Sequence, residues 1–473
     1  MTYLIKMVSI SFLFFLSLVS QAQDGKQLYT TYCAGCHGAS LEGTTSAATL
    51  IKAKWKNGSG ADVIKHSIKN GVPNTTMIAW GSLLDDKQID AITSFIVSSQ
   101  TLSSKPSISM NEIEVINSKK YSLTIEKLVT ENLQTPWAIE FISSDTALIS
   151  EKKGGLKWLI HGKLSPQEIK GLPKPHLVAK GTGGFMDIAL DPNYEQNGWV
   201  YLAFSHTNGD VKNKYALALT KIVRGKIVAN EWIDQQTLFE VPDSLKVVNG
   251  DRWGCRLLFD KEGFLYFSIG DMGKAMDSQN LGKATGKVFR IHSDGSIPKD
   301  NPFVDEEGAL KAIYAIGLRN VQGISQHPVT EQIWVTDHGP KGGDELNVLE
   351  KGGNYGWPVI TYGINYDGSI ITDKTHQEGM EQPIVQWTPS IAVCPSGFCA
   401  SPLFEDWKNN LLVGALAFQE LRRLVIIDDK VVGQEIIFKG KGRVRDVKFG
   451  KDGALYILTN SPDEVLKITP KPR

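Results

Sequence analysis

The sequence predicts a multidomain chain: a small all-α domain followed by an all-β domain built as a six-bladed β-propeller. Three observations lead there. Apolar residues at helical spacing recur in three short stretches of the first hundred residues. Later in the chain no long helical pattern appears. Instead an apolar run, a turn and an alternating run rich in Tyr, Leu and Val recur six times. Between the two regions lies SSKPSISM (103–110), polar and interrupted by a proline, which reads as part of a linker over 101–125. The domains are then expected at 24–100 and 126–473, and 473 residues suit more than one core.

Ahead of the first domain, 1–22 reads as a secretory signal. Lys6 flanks an apolar core, Val8–Ser20, shorter than the roughly 20 residues of a membrane span, and Ser20-Gln21-Ala22 offers small residues for cleavage. A periplasmic or secreted protein with no integral membrane span after cleavage is expected. Lys plus Arg and Asp plus Glu number 51 each. That balance gives no field to hold nucleic acid or an anionic membrane. The 45 glycines beside many aromatics suit a turn-rich β protein.

The helices of the first domain are expected at Asp24–Cys33, Asp62–Asn70 with Gly71 as C-cap, and Asp85–Ser99 with acidic residues in its first turn. The first leads into Cys33-Ala34-Gly35-Cys36-His37, the C-x-x-C-H motif of covalent haem c attachment. Two thiols at that spacing span one porphyrin edge and hold the histidine under the iron. Met77, in a polar loop before the last helix, is placed as the sixth ligand; mid-helix His66 is a weaker candidate. Thioether ligation raises a haem potential. A metal-free redox CxxC is the rival reading. The stretch 24–100 resembles class I cytochromes c.

The β repeats start near Ile139, Ile188, Leu257, Ile324, Leu403 and Val447, about 45–80 residues apart. A sandwich would not explain the repetition. Four motifs cluster among them: Gly317-Leu318-Arg319-Asn320-Val321-Gln322-Gly323, the run Asp337–Asn347, Gly352–Pro358, and Gly442-Arg443-Val444-Arg445-Asp446. Strand alternation puts Arg443 and Arg445 on one side. Three guanidinium groups, with Arg319, suit a ligand bearing several carboxylates. Carbonyls of the Gly-Pro run are hard-cation ligands, and Asp344 and Glu345 could serve a second cation. The competing reading pairs the arginines with acids in blade contacts.

In that order the motifs make the region from Leu133 to Thr469 similar to the soluble aldose (glucose/sorbosone) dehydrogenases, which use pyrroloquinoline quinone (PQQ) on a six-bladed propeller. The resemblance implies that Arg319, Asn320 and Gln322 reach the cofactor and that Arg443 and Arg445 bind its carboxylates. It also implies that Gly339 and Pro340 offer carbonyls to a Ca2+ bridging PQQ. Glu345 and Tyr355 match positions binding a structural calcium in some members.

The departures from that family matter as much. Its catalytic histidine falls at Arg252, in Asp251-Arg252-Trp253-Gly254-Cys255-Arg256-Leu257, and an arginine stays protonated at any usable pH. A family glutamine becomes Thr182 and a lysine becomes Ala417. Asp251 and His338 are then the candidates for the base. The implied function is oxidation of an aldose-type sugar or alcohol with electrons passed to the fused haem and on to a downstream redox protein. The alternative is a propeller that has lost catalysis and binds a carbohydrate or partner. Of five cysteines, three lie outside the haem motif. A bridge Cys394–Cys399, or one between Cys255 and Cys394, is compatible with the spacing.

Overall fold

The computed structural model describes residues 25–39, 41, 43–44, 47, 49–50, 60–73, 75–101, 113–178, 181–248 and 250–472. The signal predicted over 1–22 lies outside them. Two compact units divide between Met110 and Asn111.

The first unit has helical residues 25–32, a short helix Ala34–His37, and helices Ala61–Asn70 and Asp86–Thr101. Tyr29, Cys33, Ile64, Ile68, Leu84, Ile89, Ile92 and Ile96 form its core. Gly25 is required by close approach, because a Cβ there would lie 2.2 Å from the Ala91 carbonyl oxygen. The last helix starts from a reciprocal cap. The Gln88 N–H donates to Asp85 Oδ1 (2.8 Å) and the Asp85 N–H donates to Gln88 Oε1 (3.0 Å), satisfying two amides that the helix itself cannot.

The second unit is a propeller of six antiparallel sheets. Its innermost strands are Pro136–Phe141, Phe185–Leu190, Leu257–Phe259, Val321–Gln326, Val393–Phe398 and Arg443–Phe449. Each touches the next, and the last touches the first, so the ring closes. Closure uses both ends of the domain. Strands Ile113–Asn117 and Tyr121–Val129 complete the sheet of Glu464–Pro472, Leu455–Asn460 and Arg443–Phe449. The expected linker over 101–125 is therefore too long at its far end. In Tyr121–Val129 the alternating Tyr121, Leu123 and Ile125 are buried, as an inner strand of that sheet requires.

Five of the six predicted repeat positions lie on innermost strands; Leu403 does not. It is 45 % exposed, in a 3-10 turn Pro402–Trp407, and the fifth innermost strand begins ten residues earlier, at Val393. The register of five innermost strands is broken near their starts: at Trp137, Met186-Asp187, Gln322, Cys394-Pro395 and Arg445. Such bulges turn side chains out of the alternating pattern.

Candidate functional site

In the first unit, Cys33 is buried, Cys36 is exposed, and neither is in a disulfide. Burial, then the neighbouring Cys36, pushes the Cys33 thiol up to about 12. A redox dithiol needs the opposite shift, so the rival reading of the CxxC loses support. Met77 packs against the core cluster that contains Cys33. Just before the motif Tyr32 meets Trp80 edge-on at 5.6 Å, and following Met77 in the chain Ile78 and Leu83 are 49 % and 63 % exposed. Apolar groups left open beside two free thiols and a histidine fit a haem, which would cover them. His66 is set aside. It lies on the exposed face of Ala61–Asn70, opposite buried Ile64 and Ile68, and its Nδ1 pairs with Asn70 Nδ2 at 3.2 Å.

In the propeller, the site forms where innermost strands begin and second strands end. Arg256 ties the axis together. Its Nε donates to the Gln322 carbonyl (2.8 Å), Nη1 to Asp187 (3.4 Å) and Asp446 (3.2 Å), and Nη2 to the Arg445 carbonyl. The arginine predicted from a strand alternation, Arg445, sits instead on a bulge. It lies 4.3 Å over the Trp137 ring, donates to Asn460 (3.1 Å) and Gln322 (3.4 Å), and approaches Cys394 Sγ (3.6 Å). The alternation argument thus fails at Arg445, because the bulge breaks the period. Arg443 is half-buried at the start of the same strand.

Arg319 donates to the carbonyls of His338 (2.6 Å) and Gly339 (2.8 Å), and its guanidinium lies 5.5 Å from the Trp357 ring centroid. The amides of Arg319 and Asn320 both donate to the Asp337 carboxylate, at 2.8 and 2.6 Å. Asn320 Oδ1 accepts from the Gly254 amide (3.1 Å) and Gln322 Nε2 (3.3 Å). His338, half-buried, faces four guanidinium groups. Burial, then Arg319, Arg443, Arg445 and Arg252, hold its imidazole down to about 3, and the ring has no hydrogen-bond partner among the described residues.

Arg252 has φ +57° and donates from Nε to the fully buried Asp271 (2.6 Å), whose other oxygen accepts from Trp357 Nε1 (3.0 Å). Asp251 is exposed, and its charge acts on Lys152. Lys152 follows the second strand of the first blade, donates to the Gly181 carbonyl (2.7 Å), and is held down to about 8 by burial and then Arg445. The sequence reading missed Lys152 and Asp271, and singled out the motif holding Trp357 without giving that residue a role. Asp271 carries a signal, an acid in a Gly-flanked turn straight after the apolar run Phe264–Ile269.

This donor set fits a polyanion. Lys152, Arg252, Arg319, Arg443 and Arg445 converge, and Asp271 is already committed to Arg252. For calcium, Pro340 is buried with a carbonyl that accepts no hydrogen bond among the described residues, next to the Gly339 carbonyl shared with Arg319. The second cation set is not assembled. Asp344 spends its carboxylate on the Gly339 and Val393 amides and Ser390, and Tyr355 commits its hydroxyl to Val348 and Glu350. Glu345 accepts from Asn347 and, through burial and then Asp337, rises to about 8. Among the described residues no group of three His, Cys, Asp or Glu could hold a metal.

Neither expected bridge forms: Cys255, Cys394 and Cys399 are all free and buried. Cys394 lies on the bulged strand Val393–Phe398 and Cys399 just past its end, and the two thiols sit in different surroundings. Cys394 reaches Gln322, while Cys399 packs in the outer cluster with Phe404.

The chain is similar to known proteins in two separate stretches. Residues 133–467 match the family described as glucose/sorbosone dehydrogenase, and 20–96 match that of the cbb3-type cytochrome c oxidase subunit III. Aldose sugar dehydrogenase YliI of Escherichia coli (strain K12) is 35% identical over 351 residues, covering 73% of this chain and 92% of its own. Quinoprotein glucose dehydrogenase B of Acinetobacter calcoaceticus is 26% identical over 426 residues, 72% of this chain and 86% of its own. Among solved structures, the apo-form of the soluble aldose sugar dehydrogenase from Escherichia coli aligns with a TM-score of 0.68 at 34% identity, covering 74% of this chain and 100% of its own.

Proposed function

The chain belongs to the glucose/sorbosone dehydrogenase family and carries a cytochrome c domain before its propeller, and on that premise we propose that it is a PQQ- and calcium-dependent sugar dehydrogenase with its own electron acceptor. One observation carries this reading. Arg319, Arg443, Arg445 and Arg252 all act on the same imidazole, His338, from three different blades. So dense a positive cluster suits a small multi-carboxylate cofactor. One relative, quinoprotein glucose dehydrogenase B, is by its name a quinoprotein, which supports the quinone.

Arg443 and Arg445 would hold cofactor carboxylates, Arg319, Asn320 and Gln322 its quinone side, and the Gly339 and Pro340 carbonyls the calcium. Bound PQQ would supply a two-electron acceptor, whereas haem iron takes one electron at a time. His338 presents a neutral imidazole with no hydrogen-bond partner among the described residues; held down by burial and four guanidinium groups it is a weak base, and it would accept the substrate hydroxyl proton only once a bound polyanion offsets those charges. Arg252 keeps its charge and orients the substrate, with exposed Asp251 at the rim. Glu345 and Tyr355 have no role in this reading.

Cys33, Cys36, His37 and Met77 would hold the haem, which would supply a one-electron carrier toward a downstream redox protein. Fusion replaces a bimolecular encounter with an effective concentration of roughly millimolar. Export by the signal at 1–22 would put the protein in the periplasm or outside the cell. No helix among the described residues is long and apolar enough to cross a membrane.

The test is reconstitution with PQQ and calcium while haem absorbance is followed. Reduction on adding an aldose or acidic sugar is expected. A haem that stays oxidised with every sugar and alcohol tried, in a protein that still binds sugar but no PQQ, would leave the propeller as a binding module.

A further inference from the structure

We propose that Arg252 and Lys152 form a carboxylate-binding subsite, adjoining the Arg319–Arg443–Arg445 set, that selects an acidic sugar (a uronate or aldonate) as the substrate. The substrate class rests on the sugar-dehydrogenase reading above.

The case begins with what Arg252 leaves unused. Its Nε is spent on Asp271 at 2.6 Å, and that carboxylate is fixed in turn by Trp357 Nε1 at 3.0 Å and the Gly273 amide at 2.9 Å. Its backbone amide donates to Thr182 Oγ1 at 3.2 Å. Nη1 and Nη2 have no partner among the described residues, and the side chain is 29 % exposed. The plane of the guanidinium is thus set from behind while its fork stays open. A fixed, open fork matches a carboxylate bidentately. Arg256, four residues on, shows the contrast. It is 4 % exposed and all three of its nitrogens are engaged, as in a structural arginine.

Lys152 brings a second cation to the loop that holds the Arg252 backbone, by a different route. Its Nζ donates to the Gly181 carbonyl at 2.7 Å, one residue from the Thr182 that holds Arg252. The two loops meet because Gly181 and Gly250 touch. A Cβ on Gly181 would lie 2.4 Å from the Gly250 carbonyl oxygen, so no larger residue allows the approach. The charged groups acting on Lys152 are Arg445, Asp251 and Lys153. Arg445 and Lys153 repel it, and Asp251 alone offsets them. An ammonium held down to about 8, by burial first and then by Arg445, is still charged at neutral pH but poorly compensated. A neutral sugar brings no charge to such a pair, whereas a carboxylate does.

The left-handed backbone of Arg252 agrees. A non-glycine residue at φ +57° is strained and persists only where its surroundings hold it there. The surroundings here fix the position of the guanidinium.

The test is calorimetry on the full-length haem protein, with D-glucuronate and D-glucose as probes and PQQ titrated separately. Glucuronate is expected to bind at least about tenfold more tightly than glucose. Arg252→Gln and Lys152→Met should each weaken glucuronate by about 10- to 100-fold, as expected for a lost charge-assisted bond, and move the glucuronate-to-glucose ratio toward one. Arg252→Lys, which keeps the charge but not the fork, should fall between. Circular dichroism confirms folding of each variant. Equal affinities for the two sugars overturn the subsite. So does an Arg252→Gln variant that loses PQQ instead, because the fork would then serve the cofactor's carboxylate. Glucuronate selectivity in a protein that never takes up PQQ keeps the subsite and overturns the dehydrogenase reading.

Discussion

The two units hold their chemistry in opposite ways. The cytochrome unit concentrates three of its four proposed haem ligands in the five residues Cys33–His37, on one short helix and its entry. The propeller gathers its groups from turns and bulges 293 residues apart, Lys152 at one extreme and Arg445 at the other. A site written in one run depends on few other residues. A site gathered from several blades depends on whatever holds those blades in register, and in this propeller much of that falls on Arg256.

The largest effect should come from breaking the compact site. Cys33→Ser with Cys36→Ser removes both attachment points, and haem stain on a denaturing gel should vanish completely. The melting transition of the propeller, followed by tryptophan fluorescence, should not move. A coupled shift in that transition would mean the two units are not energetically separate.

Next in size is the dispersed site. Arg256→Met leaves Asp187 and Asp446 buried without the cation that bonds them both, at 3.4 and 3.2 Å, with only the charge of Lys448 still acting on them. Removing one partner from a buried ion network costs about 3–5 kcal/mol. The propeller midpoint in denaturant should fall accordingly, with haem content unchanged. A shift under about 1 kcal/mol would show that the bulges hold the axis without Arg256.

The same contrast explains what could be read from the chain. C-x-x-C-H is contiguous, so it was legible, as were helices whose apolar periodicity survives in Ile89, Ile92 and Ile96. Blades were legible where the innermost strand is apolar. The fifth was misplaced because its strand VCPSGF (393–398) carries Pro, Ser and Gly, while Leu403 and Phe404 imitate a strand from inside a 3-10 turn. Arg445 was assigned to the right site by the wrong geometry, since a bulge leaves no mark on residue spacing. Lys152 was invisible for a plainer reason. A lysine in a Lys-Lys-Gly-Gly turn looks solvated, and only the loop carrying Gly181 covers it.

The smallest predicted effect separates the two arginines most finely. Trp357→Phe keeps an aromatic ring beside Arg319 but removes the indole N–H from Asp271, a 3.0 Å bond. A net loss of about 0.5–1.5 kcal/mol is expected in propeller stability. Asp271 retains Arg252 and the Gly273 amide, so its charge is not stranded. What it loses is one of the contacts that fix the carboxylate, and through it the angle of the Arg252 guanidinium. Arg256 touches none of these groups, so the axis should be unaffected. The signature is therefore a small change in melting together with a larger fall in glucuronate affinity, glucose affinity being little altered. If stability drops while the two affinities fall in step, Asp271 serves the fold of its loop and not the aim of Arg252.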